Sequence, residues 1–421
     1  MINKIKNIFN TKDKKRLLEN FLSLTVLQVA NYILPLITLP YLVRVLGPEK
    51  FGLIMFAQAF IQYFVILTDY GFNLSATREI SIYRDNRDKV SEIFSSVMII
   101  KFFLLILSFI IMTIIVFSFE KFRKDWLIYY LTFGIVFGQV LFPVWFFQGM
   151  EKMKYITFLN ITAKLIFTLS IFIFIRGVAD YIYVPLINSL GFILAGFLSI
   201  YIIFKNFGIN FKLPDKKALK YHIKDSSQFF LSRISLSIYT STNTFVLGLF
   251  TNTKMVGYYS IAEKMYTAVQ QLFHPLVNTL YPYVAYKKNV FLYKKIFKLV
   301  LLISFFSVII LFFISDKIIT LIFGQGLDLS IDVFKILLIA LLCVVPSILL
   351  GYPFLAALGY SRYANYSVIF GSLFHIMGLI FLVVFDLINI YNIALMVLLT
   401  ESFVLFYRLY GVFKNRLWRE T

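Results

Sequence analysis

The stretch IFSSVMIIKFFLLILSFIIMTIIVFS, residues 93–118, decides the fold class: it carries a single charge, Lys101, and neither proline nor glycine. A bilayer core of about 30 Å needs roughly 20 mostly apolar residues per helix. A helix of that length in water would show a polar face, and this one has none. The whole chain repeats the pattern. Of its 421 residues 60% are hydrophobic and 15% charged, against about 45–50% and 25% in soluble domains. With 49 Phe and 27 Tyr, a water-soluble chain of this size has too little interior to hide its apolar surface. The three His and the single Cys343 cannot build a disulfide framework or a Cys/His zinc site, so no metal and no cofactor is expected.

Apolar stretches of spanning length recur at 21–43, 51–70, 93–118, 126–147, 156–175, 181–204, 227–250, 257–285, 296–315, 333–356, 364–385 and 389–411. They predict an all-α integral membrane protein of about 12 transmembrane helices. The first stretch follows Lys4, Lys6, Lys12, Lys14, Lys15 and Arg16; it is too long for a signal peptide and lacks a small-residue cleavage site, so it reads as a retained helix. The formal charge is +20, which in a soluble protein would suggest nucleic acid. Alternate loops with the adjoining span ends, however, hold 28 Lys and Arg on the side of the N-terminus and 8 on the other. Basic residues collect in cytoplasmic loops, so both termini are expected in the cytoplasm and no nucleic-acid partner is needed. No loop is long enough to form a folded domain, which places function in the helices.

Two pairs of motifs suggest a duplication. VLGPEKFGLIMFAQ and LFTNTKMVGYYSIAE share a glycine and an alanine at an offset of 205, Gly52 with Gly257 and Ala57 with Ala262. Pro143, Gly149 and Lys152 match Pro353, Gly359 and Arg362 at an offset of 210. A parallel repeat leaves both termini on one side. The expected organisation is an N-terminal six-helix bundle over 1–204, a cytoplasmic linker over 205–226 and a C-terminal six-helix bundle over 227–421, around a central cavity.

Charge inside a bilayer costs about 2.5–3.5 kcal/mol on insertion scales, so polar side chains in spans are informative. Lys264, Thr267, Gln271, His274 and Asn278 recur at helical spacing and predict one polar face on a continuous helix. Gln28, Asn31, Pro35 and Thr38 do the same in the first span, as do Arg233, Ser237, Thr240 and Thr244 in the seventh; Gln58, Gln62 and Asp69 make the second polar too. Such residues can simply join helices, at about 0.6 kcal/mol each; a stripe carrying Lys and His points to a water-filled cavity. Pro35 and Pro40 are expected to let the first helix bend. Lys164 has no acidic neighbour in its own span and is expected to face a cavity or another helix. Snorkelling to the surface is the rival reading for Arg233 and the expected one for Lys101 and Lys335. Glu263 lies off the Lys264 face.

With these runs in hand, the chain resembles a Wzx-type polysaccharide flippase of the multidrug/oligosaccharidyl-lipid/polysaccharide exporter superfamily. The resemblance covers essentially the whole chain and is carried by NFLSLTVLQVANYILPLITLPYLVRVLGPEKFGLIMFAQ (20–58), DYGFNLSATREIS (69–81), WFFQGMEKMKYI (145–156) and DKIITLIFGQG (316–326). It implies a multi-pass protein of the bacterial cytoplasmic (inner) membrane that acts as a transporter and not as an enzyme. The implied cargo is an undecaprenyl-diphosphate-linked oligosaccharide, moved between leaflets by alternating access while its tail stays among membrane lipids. Coupling to a proton or sodium ion, and contact with other polysaccharide-assembly membrane proteins, would follow from the same resemblance.

Against that cargo the residues sort by chemistry. Lys164, Arg233 and Lys264 could offset a diphosphate, and Gln28, Asn31 and Gln271 could bond sugar hydroxyls. Asp69, Glu263, His274 and Glu401 are the coupling candidates. No G-x-x-x-x-G-K-[ST] run is present, so ATP hydrolysis has no support. Two alternatives stay open. A drug exporter of the same superfamily would want an acidic, aromatic cavity, and a membrane glycan enzyme such as a polymerase would want a long external catalytic loop.

Overall fold

In the computed structural model the described residues are mostly helical, with no strand among them. The structure describes the backbone of residues 12–418 and the side chains of 19–20, 22–230 and 242–418. The chain folds as two compact units, Met1–Leu46 with Ala57–Ile234, and Gly47–Phe56 with Ser235–Thr421. The first unit holds most of α1 (Lys12–Asp69), then α2 (Phe72–Tyr83), α3 (Arg87–Ser118), α4 (Glu120–Arg123), α5 (Trp126–Leu141), α6 (Val144–Gly149), α7 (Met153–Phe174), α8 (Tyr183–Phe207) and the start of α9 (Lys216–Phe250). The second holds the rest of α9, then α10 (Thr253–Gln271), α11 (His274–Lys287), α12 (Val290–Phe323), α13 (Asp328–Leu349), α14 (Ser361–Val384) and α15 (Ile390–Lys414).

Nine helical runs among the described residues are long and apolar enough to cross a membrane. The protein is a multi-pass membrane protein, and its outward side chains agree: on α12, Phe313 is 78% and Leu321 77% exposed, an apolar face that only lipid can cover. Residues 21–43 and 51–70 fall, together with α2, within one apolar run, Leu22–Tyr83. Spans 227–250 and 257–285 are not among the nine. The first overlaps side chains outside the described residues, and the second carries the Lys264 stripe.

The first helix keeps helical geometry through Pro35 and Pro40 but not at Gly47, whose φ of 68° and ψ of 170° are open to glycine because it lacks a Cβ. Nor is the polar stripe of the eighth span one straight face. The helix ends at Gln271 and restarts at His274, because Pro275 has no N–H to donate back to Gln271 and its ring crowds that carbonyl. Lys264, Thr267 and Gln271 stay on α10, while His274 and Asn278 belong to α11.

The repeated motifs meet one another inside the second unit. A Cβ on Gly52 would lie 1.8 Å from the Thr253 carbonyl oxygen, and one on Gly257 would lie 1.8 Å from the Pro48 carbonyl oxygen. Pro48 and Thr253 are themselves related by the offset of 205. Residue i thus meets the equivalent of its partner's partner, which is the signature of a local two-fold contact, and backbones can approach this closely only across glycine. The other motif pair interrupts a helix in each unit. Phe142 and Pro143 part α5 from α6, and a π-helical turn at Leu350–Ala356, non-helical at Gly351, ends α13. The buried Arg408 of α15 braces that turn, bonding the Ser347 carbonyl at 2.6 Å, the Ser347 hydroxyl at 3.1 Å and the Ser367 hydroxyl at 2.9 Å.

Candidate functional site

A cavity of about 240 Å³ lies inside the first unit, between α1, α7 and α8. Its polar lining comes from Thr38, Asn160, Lys164, Thr168 and Asn188, and Phe167 and Phe192 supply rings. The backbones of α7 and α8 close in beside it at Gly191, where a Cβ would meet the Ala163 carbonyl oxygen at 3.3 Å. Lys164 Nζ donates to Asn31 Oδ1 at 2.7 Å, so α1 and α7 aim the ammonium together. Two of the lining polar groups bond their own helix: Thr38 Oγ1 donates to the Leu34 carbonyl at 3.1 Å, and Asn160 Nδ2 to the Ile156 carbonyl at 3.0 Å. No acidic side chain lines the cavity. A cation held by a neutral amide in such a place favours an anion as its counter-charge.

The remaining expected residues are distributed as follows. Gln28 is exposed and donates to the Tyr32 hydroxyl at 2.9 Å. Lys264 is exposed, and Gln271 and His274 are half-buried, all in the second unit. The side chain of Arg233, like those of Ser237 and Tyr239's neighbour Thr240, lies outside the described residues. Glu263 is half-buried and accepts from Thr244 Oγ1 at 3.3 Å. Glu401 is half-buried on α15 and interacts with the charge of Arg408. Asp69 accepts from Asn73 Nδ2 and faces the charge of Lys101. Lys101 is only 4% exposed and does not snorkel: its counter-charge sits on another helix of the same unit. Lys335 pairs with Asp316 at 2.9 Å, where both side chains keep some exposure.

The structure brings forward two clusters that the spacing patterns did not pick out. The first fixes 205–226 to the first unit. His222 Nδ1 lies 3.3 Å from Glu79 Oε2 with both side chains under 10% exposed. Arg78 Nη2 reaches both Asp225 oxygens at 2.9 and 2.8 Å, and the Ser75 and Ser226 hydroxyls are 2.7 Å apart. Burial holds the His222 ring below its ordinary protonation range, against the pull of Glu79. A hydrogen bond to Glu79 pushes the Tyr221 hydroxyl up to about 12. The run DYGFNLSATREIS therefore has a structural task. Gly71, at φ 80°, lets α2 turn against α9, where a Cβ would meet Phe229 Cβ at 2.8 Å. The second cluster surrounds His375 in α14, which bonds Thr400 and Asn243. Its one signal in the sequence is a histidine in the middle of an apolar span.

Comparison with known proteins places the chain. Residues 17–287 match the family described as "Polysaccharide biosynthesis protein". A protein of Escherichia coli (strain K12) named "Putative O-antigen transporter" is 30% identical over 331 residues, 77% of this chain and 80% of that protein. One of Shigella dysenteriae with the same name is 26% identical over 402 residues, 94% of this chain and 99% of that one. Among solved structures, the lipid II flippase MurJ in an inward closed conformation superposes with a TM-score of 0.74 at 14% identity, covering 95% of this chain and 87% of that one. An inward-facing multidrug resistance MATE family transporter of the MOP superfamily gives 0.67 at 14% identity, covering 96% and 99%. At such identities the likeness is one of fold, and the fold is that of MOP superfamily transporters. By the span of the family match and the identity to the Escherichia coli relative, the chain belongs to the polysaccharide biosynthesis protein family.

Proposed function

We propose that this protein is a flippase that carries undecaprenyl-diphosphate-linked oligosaccharide repeat units, destined for O-antigen, capsule or another surface polysaccharide, from the cytoplasmic to the outer leaflet of the bacterial inner membrane. The observation that carries this reading is the cavity of the first unit: a lysine at membrane depth, aimed by Asn31, among amides, hydroxyls and rings with no acid. Amides and hydroxyls suit sugar, rings suit the apolar faces of a pyranose, and the ammonium suits a phosphate or an acidic sugar. Family membership, relatives named for O-antigen transport, and a fold shared with a lipid II flippase support it.

In this reading the twelve spans form two six-helix bundles around a central cavity, with both termini cytoplasmic and 205–226 as the connection between halves. The apolar run Leu22–Tyr83 crosses twice, and α9 and α10 supply the two polar crossings. Lys264, Arg233, Gln28 and Gln271 complete the substrate path. Alternating access draws on a proton or sodium gradient, with the coupling group among Asp69, Glu263, His274 and Glu401. The protein performs transport without covalent chemistry.

The test is charge exchange at one position, with surface polysaccharide measured in cells lacking the endogenous flippase. Lys164→Arg should keep export, and Lys164→Glu should abolish it at equal membrane abundance. Full export by Lys164→Glu would remove the cavity from the transport path.

A further inference from the structure

His375 is fully buried at the middle of α14 and is bonded through both ring nitrogens to other helices of the second unit: Nδ1 lies 2.8 Å from Thr400 Oγ1, on α15, and Nε2 lies 2.9 Å from Asn243 Oδ1, on α9. The hydroxyl proton of Thr400 is already committed, because Thr400 Oγ1 donates to the Met396 carbonyl at 2.7 Å. Thr400 can therefore only accept from His375, and Nδ1 carries a proton in every state of the ring. Nε2 is then the position that varies. With Asn243 Oδ1 facing it, Nε2 must donate, and the ring is an imidazolium. With the ring neutral, Nε2 needs a donor, which requires the Asn243 amide to turn and present its NH₂.

The other end of the same amide is engaged as well. The hydroxyl of Tyr259, 1% exposed on α10, is hydrogen-bonded to Asn243 and interacts with Glu263, one helical turn further on. When Asn243 points its oxygen at His375, its NH₂ faces Tyr259, and the phenol proton is free to turn away from the amide in the field of Glu263. When the amide turns, the phenol must donate to Asn243 instead. Glu263 also accepts from Thr244, the residue after Asn243. Thr400, His375, Asn243 and Tyr259 thus form one hydrogen-bonded line through α15, α14, α9 and α10, and its last member lies in the field of Glu263.

We propose that His375 is a proton-binding site of the second unit, with Nε2 as the protonated atom and Asn243 and Tyr259 as positioning residues that report its state to Glu263. Protonation adds one proton to the Nε2 lone pair, breaks no covalent bond, and reverses the donor–acceptor order of two hydrogen bonds. The purpose of the site in driving transport rests on the flippase reading; the existence of the site does not. The second unit carries other titratable groups on these and neighbouring helices, among them Tyr266 on α10, Cys343 on α13 and Glu401, Tyr407 and Arg408 on α15. Arg408 is held by Ser347 and Ser367, and Cys343 by Ser402 at 3.3 Å, so neither stands in the line.

The test uses the full chain labelled with ¹⁵N-histidine in lipid nanodiscs, followed by NMR from about pH 8 down to about pH 3.5, a range wide enough for a buried as well as an exposed imidazole. Signals of His375 are those lost in His375→Gln; His222 and His274 remain as internal controls. The expected result is an Nδ1 that stays protonated throughout and an Nε2 that gains its proton as the pH falls. Asn243→Asp, which places a carboxylate against Nε2, should raise the proton affinity at least about tenfold. Tyr259→Phe should alter the titration of His375 without changing its tautomer. A ring whose shifts are unmoved across the range in wild type and Asn243→Asp, or a neutral ring protonated on Nε2, overturns the site. Because no cargo is involved, a failure of the flippase reading leaves this measurement intact, and a flat titration leaves the flippase reading intact.

Discussion

The contact between Gly52 and Gly257 gives a prediction that can be worked through in distances. Adding a methyl group at Gly52 places its carbon 1.8 Å from the Thr253 carbonyl oxygen and 2.5 Å from the Gly257 nitrogen. Carbon and a non-bonded heavy atom settle at about 3.5 Å, so the two segments must part by well over 1 Å. Neither neighbour can turn aside, since both are backbone. Gly52→Ala should therefore cost about 1–3 kcal/mol as overpacking. The symmetry sharpens the expectation. Parting the segments for one methyl also makes room for the other, because Gly257 meets Pro48 in the same geometry. Gly257→Ala should cost about as much as Gly52→Ala, and the double variant little more than either, giving a coupling of about 1 kcal/mol or more in a double-mutant cycle. Reversible denaturant unfolding in detergent, read by tryptophan fluorescence, measures all four proteins. Single costs that add in the double variant, or a Gly52→Ala protein as stable as wild type, would refute the close two-fold contact.

Other expectations concern separate sites. Asn31→Leu should lower export about tenfold or more, because a hydrogen bond to a charged group contributes about 1.5–3 kcal/mol; unchanged export in the same cells would show that Lys164 needs no aiming. Burial keeps His222 neutral below its ordinary range, so unfolding takes up a proton: its contribution is complete above about pH 6.5 and is lost as pH falls through the lowered folded value. Melting temperature should fall in that acidic window in wild type, by the equivalent of up to about 1.4 kcal/mol per pH unit, and less steeply in His222→Gln; equal slopes would count against the buried pair with Glu79. Arg408→Met should destabilise the second unit by about 3 kcal/mol or more, since three hydrogen bonds at the π-helical turn lose their donor; a change under about 0.5 kcal/mol would show that the turn holds itself.

The sequence disclosed what depends on local pattern and withheld what depends on pairing. Apolar runs such as 93–118 announce their helices because lipid demands length and hydrophobicity from each span alone. Duplicated motifs such as Gly52 and Gly257 were visible by offset, but their meeting face to face was not, since nothing in an offset says which copies touch. Lys101 read as a snorkelling residue because its counter-charge, Asp69, lies 32 positions away on another helix. Lys164 reads as facing a cavity or another helix and does both, lining the cavity and bonding Asn31 of α1, whereas Asn31 by its spacing belongs only to its own helical stripe. The stripe from Lys264 to Asn278 followed ideal periodicity across a proline that breaks it. The expected linker 205–226 gives no sign in its own sequence of the partners that His222 and Asp225 find in Glu79 and Arg78. His375 escaped notice because a lone histidine in an apolar run has no spacing to give it away.

The most direct measurement of the central claim is translocation itself. Purified protein in liposomes, loaded with an undecaprenyl-diphosphate oligosaccharide from its own host in the inner leaflet, is scored by lectin access to glycan on the outer leaflet. Glycan should appear outside at a rate that needs the protein and that falls at least about tenfold in Lys164→Glu. Wild-type protein, folded and correctly oriented, that leaves the glycan inside would contradict it, as would transport that is indifferent to the charge at position 164.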